Sequence, residues 1–180
     1  MNTAPKEFLD VFGELISGEF IKWLTETGFF IAPASTKYHG NYAGGLYDHS
    51  QAVMAALVEF TKNLNLNWQS ERSPYIVGMF HDLCKIDSYR PNLSVPHDSG
   101  EPILWEYNPN TFFTGHGDKS VILLSQHIQL TEEEALCIRY HMGAFTEKEE
   151  WQYYSRAVET CPNVLYTHTA DMVASKIIGI

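Results

Sequence analysis

The sequence predicts an all-α fold, a single-domain helical bundle carrying one short β-hairpin insertion. Three observations predict it. Apolar residues recur at three- and four-residue spacing along most of the chain, as in helices that bury one face. The helix breakers Pro91, Pro96, Gly100, Pro102 and Pro109 concentrate in one stretch. A length of 180 residues with 44% hydrophobic and 13% aromatic content suits one domain with a substantial core and excludes disorder.

Taken in order, Phe8, Leu9, Val11, Phe12, Leu15 and Ile16 give a helical stripe between Glu7 and Ile16. Phe20, Ile21, Trp23 and Leu24 give a second helix over 18–27, stopped by Gly28. Residues 1–39 are thus expected to pack on a bundle formed by 40–178. Pro33 and the polar run Ser35 to Tyr42 form a loop ending in Gly44-Gly45, which permits a tight bend. A helix over 46–64 buries Val53, Leu57 and Val58, and the next runs over 71–84 from a Ser-Pro start. In the breaker-rich stretch, Ile103 to Tyr107 and Thr111 to Phe113 flank Asn108-Pro109-Asn110 as a hairpin, expected to overhang the site as a lid or specificity wall. Helices follow over 118–128, from the Thr131-Glu132-Glu133-Glu134 cap to His141, over 147–159, and from Pro162 through 163–178.

Charge narrows the partners. Twelve basic against 22 acidic residues leave a net charge of −10, with no basic run. Tracking along a long nucleic acid is therefore disfavoured. A small anionic substrate is favoured, because a metal centre supplies locally the positive charge that the surface lacks. No apolar run is long enough to span a bilayer, and Met1 to Glu7 lack the pattern of a secretory signal, so the cytoplasm is the expected location. Cys84, Cys137 and Cys161 follow no zinc-ribbon spacing. Cys84 reads as a small core residue.

The chemistry concentrates in Gly78-Met79-Phe80-His81-Asp82-Leu83-Cys84-Lys85. A histidine and a carboxylate are costly to bury unless paired or bound to a cation. Neighbouring helical residues project about 100° apart, so His81 can hold one ion while Asp82 bridges to a second. Lys85, one turn on, is placed to reach a bound anion. His49, His116, His141 and Asp171 are spaced by about one helical hairpin each, as in a bundle whose helices each contribute one ligand. Histidine and carboxylate donors suit Mn, Fe, Co, Ni or Zn better than Mg or Ca.

The order His49, His81-Asp82, His116, His141, Asp171 resembles the HD superfamily of metal-dependent phosphohydrolases. Gly44-Gly45-Leu46-Tyr47-Asp48-His49-Ser50, His81-Asp82-Leu83-Cys84-Lys85, Gly115-His116-Gly117-Asp118-Lys119-Ser120 and His168-Thr169-Ala170-Asp171 are each similar to segments of that family. The resemblance covers about residues 40–178. It implies an HD-type bundle with two divalent transition-metal ions, the first held by His49, His81, Asp82 and Asp171, the second by His116 and His141 with Asp82 bridging. It also implies hydrolysis by a metal-activated water, with Asp82 and Lys85 catalytic. Lys85, Lys119, Tyr89 and Arg90 are the expected contacts to a nucleotide-like substrate, with Trp105 and Tyr107 available to stack on a base. His168 and Asp118 are expected to support the ligands from behind. The same ligand order occurs in HD-type mixed-valent di-iron oxygenases, and a nucleotide-sensing module without turnover would also use it. His39, His97 and His127 receive no role, His127 reading as a helix-surface residue.

Overall fold

A computed structural model describes residues 3–94, 105–111 and 115–180. Among them are eight α-helices: α1 (Lys6–Phe12), α2 (Gly18–Glu26), α3 (Gly45–Leu64), α4 (Ser73–Phe80), α5 (Gly117–Ser125), α6 (Glu132–Arg139), α7 (Trp151–Thr160) and α8 (Asn163–Met172). One antiparallel pair joins β1 (Tyr89–Pro91) to β2 (Trp105–Tyr107), with Tyr89 opposite Tyr107 and Arg90 opposite Glu106. The expected strand at Ile103 to Tyr107 thus finds its partner upstream, at Tyr89–Pro91. Ile103, Leu104, Phe112 and Phe113 lie outside the described residues, as does His97.

Helices α3, α4, α6 and α8 close a ring, each packing on the next and α8 returning to α3. Two buried glutamates tie one end of it. Glu134, the last residue of the predicted acidic cap, completes a capping box with Thr131. Its carboxylate also accepts from Ser73 Oγ at 3.0 Å and from Arg72, binding the start of α6 to the start of α4. Glu133 accepts from Gln69 N at 2.6 Å and from Asn163 Nδ2 at 2.8 Å, binding it to the start of α8. With their N-termini joined, α4, α6 and α8 run parallel and bring their C-termini to the opposite end.

Helix α3 runs against them, and a small residue sets how close it comes. A Cβ on Gly78 would lie 2.4 Å from Met54 Cα, so α4 rests directly on the α3 backbone. The N-terminal helices share this core: Phe8, Phe12, Phe20 and Phe29 surround Phe80, with ring centroids 5.4 to 6.5 Å away. Phe80 immediately precedes His81, so the packing of these four phenylalanines helps fix where the His-Asp pair emerges.

The second of the paired helices ends sooner than its apolar run suggests. α4 stops at Phe80, His81 caps it, and Asp82 leaves the helical region at φ −104°, ψ 22°. A 3₁₀ turn, Leu83–Asp87, follows. Similarly, a 3₁₀ turn over Lys148–Glu150 precedes α7, and a π turn over Val173–Ile178 extends α8. No helix among the described residues is long and apolar enough to cross a membrane.

Candidate metal centre

The four ring helices each deliver one donor to the same end. His49 lies near the start of α3, whose entry uses Gly44 at φ +94° and the close approach of Gly45 to the Gly40 carbonyl. His81 caps α4, and His141 follows α6 by two residues, before Gly143 turns the chain at φ +57°. Asp171 sits in the last turn of α8. The C-termini of α4 and α6 therefore face the cluster, and their partial negative charge favours a cation there.

The imidazoles are oriented by carbonyls. His81 Nδ1 donates to Gly78 O at 2.9 Å and His141 Nδ1 to Ile138 O at 2.7 Å, each ring satisfying a carbonyl of the helix it terminates. His49 Nδ1 donates to Ile180 O at 2.9 Å. A carbonyl can only accept, so these protons reside on Nδ1 and each neutral ring presents a bare Nε2 lone pair inward. The lone pairs converge. His49 Nε2 lies 3.3 Å from His81 Nε2 and 3.3 Å from Asp171 Oδ1, and His141 Nε2 lies 3.4 Å from Asp82 Oδ1. Neighbouring nitrogen and oxygen ligands about 2.0–2.1 Å from a tetrahedral ion are about 3.3–3.4 Å apart. Asp82 Oδ1 and His141 Nε2 are buried without a hydrogen-bond partner. Such groups are costly unless a cation completes them, and the donor set fits a divalent transition metal.

The electrostatics agree. Burial would raise the Asp82 carboxyl, but Lys85 at 2.6 Å and His81 hold it well below the usual carboxylate range. Burial likewise opposes ionisation of Asp171, and the surrounding histidines bring it down to about 2. Burial lowers His81, whereas at His141 the neighbouring Asp82 outweighs burial and raises it. Lys85 is buried too, yet Asp82 keeps it cationic. Both carboxylates are thus held as anions, Asp82 beside the Lys85 ammonium and Asp171 among the imidazoles.

A cleft of about 240 Å³ opens over this cluster. Asp82, Asp171, Lys85 and His116 line its floor and side, and Tyr38, Tyr89, Tyr107 and Phe145 line it further out. The Tyr89 and Tyr107 rings lie 5.4 Å apart across the strand pair. The strand pair therefore does border the cleft. His168 donates from Nδ1 to His141 O at 2.8 Å, on the backbone of a candidate ligand.

Three expected residues go elsewhere, each drawn into an ion pair. Lys119 is buried with its ammonium on the Asp87 carboxylate. Asp118 is held by Arg139 at 2.6 Å. Arg90 is held by Glu106 at 2.7 Å, across the strand pair. None of the three lines the cleft. The donors fall into three overlapping groups: His49 with His81 and Asp82, His81 with His141 and Asp171, and Asp82 with Cys84 and His116, so His141 stands nearer the expected first set than beside His116.

Two residues at the site were not anticipated there. His39 stacks on His49 with centroids 4.9 Å apart and lines the cleft, with burial lowering its pKa to about 4. It is carried by a loop closed by Ala34 N to Gly40 O at 2.8 Å and Ser35 Oγ to His39 O at 2.8 Å. Cys84 points its sulfur at His116 Nδ1, 3.5 Å away. Comparison of the chain with protein-family models, curated proteins and solved structures found no match.

Proposed function

We propose that the chain is a metal-dependent phosphohydrolase that cleaves a phosphomonoester or phosphodiester of a small nucleotide-like substrate. One observation carries this reading: three inward-facing imidazole nitrogens and two carboxylates meet beneath a single cleft, beside a buried lysine. The resemblance of the ligand order to HD phosphohydrolases supports the same reaction class.

His49, His81, Asp82, His141 and Asp171 would hold the first of two divalent transition ions drawn from Mn, Fe, Co, Ni and Zn. When bound, such ions supply a water acidified toward neutral pH and positive charge for phosphoryl oxygens. The remaining work falls to side chains. Asp82 fixes the Lys85 ammonium at 2.6 Å, and Lys85 offers its other donors to a substrate oxygen, stabilising charge that grows as the ester bond breaks. Burial keeps bulk water from weakening that contact. Tyr89, Tyr107, Tyr38 and Phe145 offer flat faces on which a base can stack. The cleft has room for one small ligand, in keeping with an acidic chain that does not track a polymer.

The test is phosphate release from a panel of nucleoside monophosphates and small phosphodiesters, with protein stripped of metal and reloaded with each ion. Turnover should require metal and vanish in Asp82→Ala. Oxygen consumption with iron and no phosphate release would instead assign the cluster to oxidation.

A further inference from the structure

His39 stands at the cleft beside the ligand cluster without being one of its donors, since none of the three groups of converging ligand atoms includes it. Its ring lines the cleft and stacks on His49, with centroids 4.9 Å apart. The loop that carries it is closed at every turn. Ser35 Oγ accepts from Tyr38 N at 2.9 Å and donates to His39 O at 2.8 Å. Gly44 N donates to Ile31 O at 3.0 Å and Leu46 N to Ala32 O at 2.9 Å, which ties the loop to the start of α3, the helix of His49. Gly40, at φ +58°, packs where a Cβ would lie 2.7 Å from Ala34 Cβ.

The proton on this ring sits differently from those on the ligands. His39 Nδ1 is buried with no hydrogen-bond partner among the described residues. Buried N–H groups without an acceptor are rare, so the proton of the neutral ring resides on Nε2, on the edge left to the cleft. In His49, His81 and His141 the proton is on Nδ1 and Nε2 is bare. Those three rings offer lone pairs to a cation. His39 offers a donor to an oxygen.

We propose that His39 is a substrate-contacting residue of this site, donating from Nε2 to a non-bridging oxygen of a phosphoryl group seated over the metal centre. Lys85, which lines the same cleft from the turn after α4, donates to the same group. Two carboxylates, Asp82 and Asp171, also line the cleft, so an anion entering it needs donors as well as cations to offset their charge. The proposal rests on the phosphohydrolase reading for the reaction, while the oxyanion contact can be measured without turnover.

Isothermal titration of inorganic phosphate into the zinc-loaded full-length chain, freed of excess ion, measures that contact. His39→Phe keeps a ring on His49 and removes the donor, and His39→Gln restores an N–H at similar reach. Both should carry as much zinc as the wild type. His39→Phe should bind phosphate about 10–100-fold more weakly, and His39→Gln should recover part of that affinity. In the turnover assay His39→Phe should lower kcat by about 10²–10³ with a smaller change in KM. A wild type that binds no phosphate, or loss of zinc from His39→Phe, would overturn the proposal. Phosphate binding that depends on His39, with no turnover across the substrate panel, would uphold the donor and overturn the hydrolase reading. Turnover and phosphate affinity both unchanged in His39→Phe would do the reverse.

Discussion

His49 Nε2 and His81 Nε2 face each other 3.3 Å apart, while the Nδ1 of each ring donates to a backbone carbonyl. Two neutral imidazoles so arranged oppose lone pair to lone pair, which only a proton or a cation between them relieves. The three imidazoles of the cluster, His141 included, are turned by the same means, a backbone carbonyl behind each and an open valence in front.

Gly78 controls that approach. In a free helix, glycine to alanine stabilises by up to about 1 kcal/mol. Here the added methyl would meet the Met54 backbone at 2.4 Å, so Gly78→Ala should cost about 2 kcal/mol and lower the melting temperature by roughly 4–8 °C. It should also weaken metal binding, since His49 and His81 lie on the separated helices. A melting temperature equal to or above wild type would contradict the close contact.

Lys85 and Asp82 form a nearly buried ion pair at 2.6 Å. Removing one partner of such a pair costs about 3–5 kcal/mol when nothing replaces it. Lys85→Gln should therefore strongly destabilise the metal-stripped protein, and much less the loaded one, where bound cations also neutralise Asp82. Phosphate release should be lost in both. Equal destabilisation with and without metal would place Lys85 outside the electrostatics of the cluster.

His168 contacts the backbone of His141. It donates to the His141 carbonyl, and a Cβ on Gly143 would touch its ring at 2.6 Å. His168→Ala should weaken metal affinity by about 10–100-fold with little change in secondary structure. Chelator competition followed by circular dichroism separates the two, and unchanged affinity would make His168 a packing residue only.

Much of this was legible in sequence, and what was not has identifiable causes. Helices such as α3 and α8 declare themselves because a 3.6-residue pattern reflects their single buried face, and the Thr131 to Glu134 cap is a local chemical signature. The break at His81 is hidden: Tyr75 to Cys84 are all helix-compatible, and the turn arises where Phe80 locks into four phenylalanines from other segments. Ion pairing misled the reading of Lys119, Asp118 and Arg90, whose partners Asp87, Arg139 and Glu106 are chosen by tertiary proximity. His39 gave no periodic signal because it rides on a loop, although the glycines at 40, 44 and 45 just after it marked a tightly folded turn. Cys84 is buried as its apolar setting implies, but which neighbour its thiol faces, His116, is set by tertiary packing that the sequence does not show.

His127 was equally misleading, reading as surface while its ring stacks on Phe20 at 4.7 Å and on Trp23 at 4.4 Å. Burial lowers its pKa from 6.5, so as pH falls the unfolded chain takes up this proton first. The histidine's contribution is complete above about pH 6.5 and is lost as pH falls below it toward the folded value. His127→Phe keeps the stack without the proton. Its melting temperature should fall less than that of wild type between about pH 7.5 and pH 5.5, and parallel falls would show that His127 is not sensing pH.

Metal content decides the central claim most directly. Elemental analysis of protein purified without chelator, alongside His81→Ala and Asp82→Ala, should find bound divalent transition metal in the wild type and strong depletion in both variants. Reloading the stripped wild type should raise its melting temperature, by about 2.7 kcal/mol of added stability at a hundredfold excess over the dissociation constant. A wild type that carries no metal and gains no stability from Mn, Fe, Co, Ni or Zn would show that the inward-facing lone pairs are satisfied some other way.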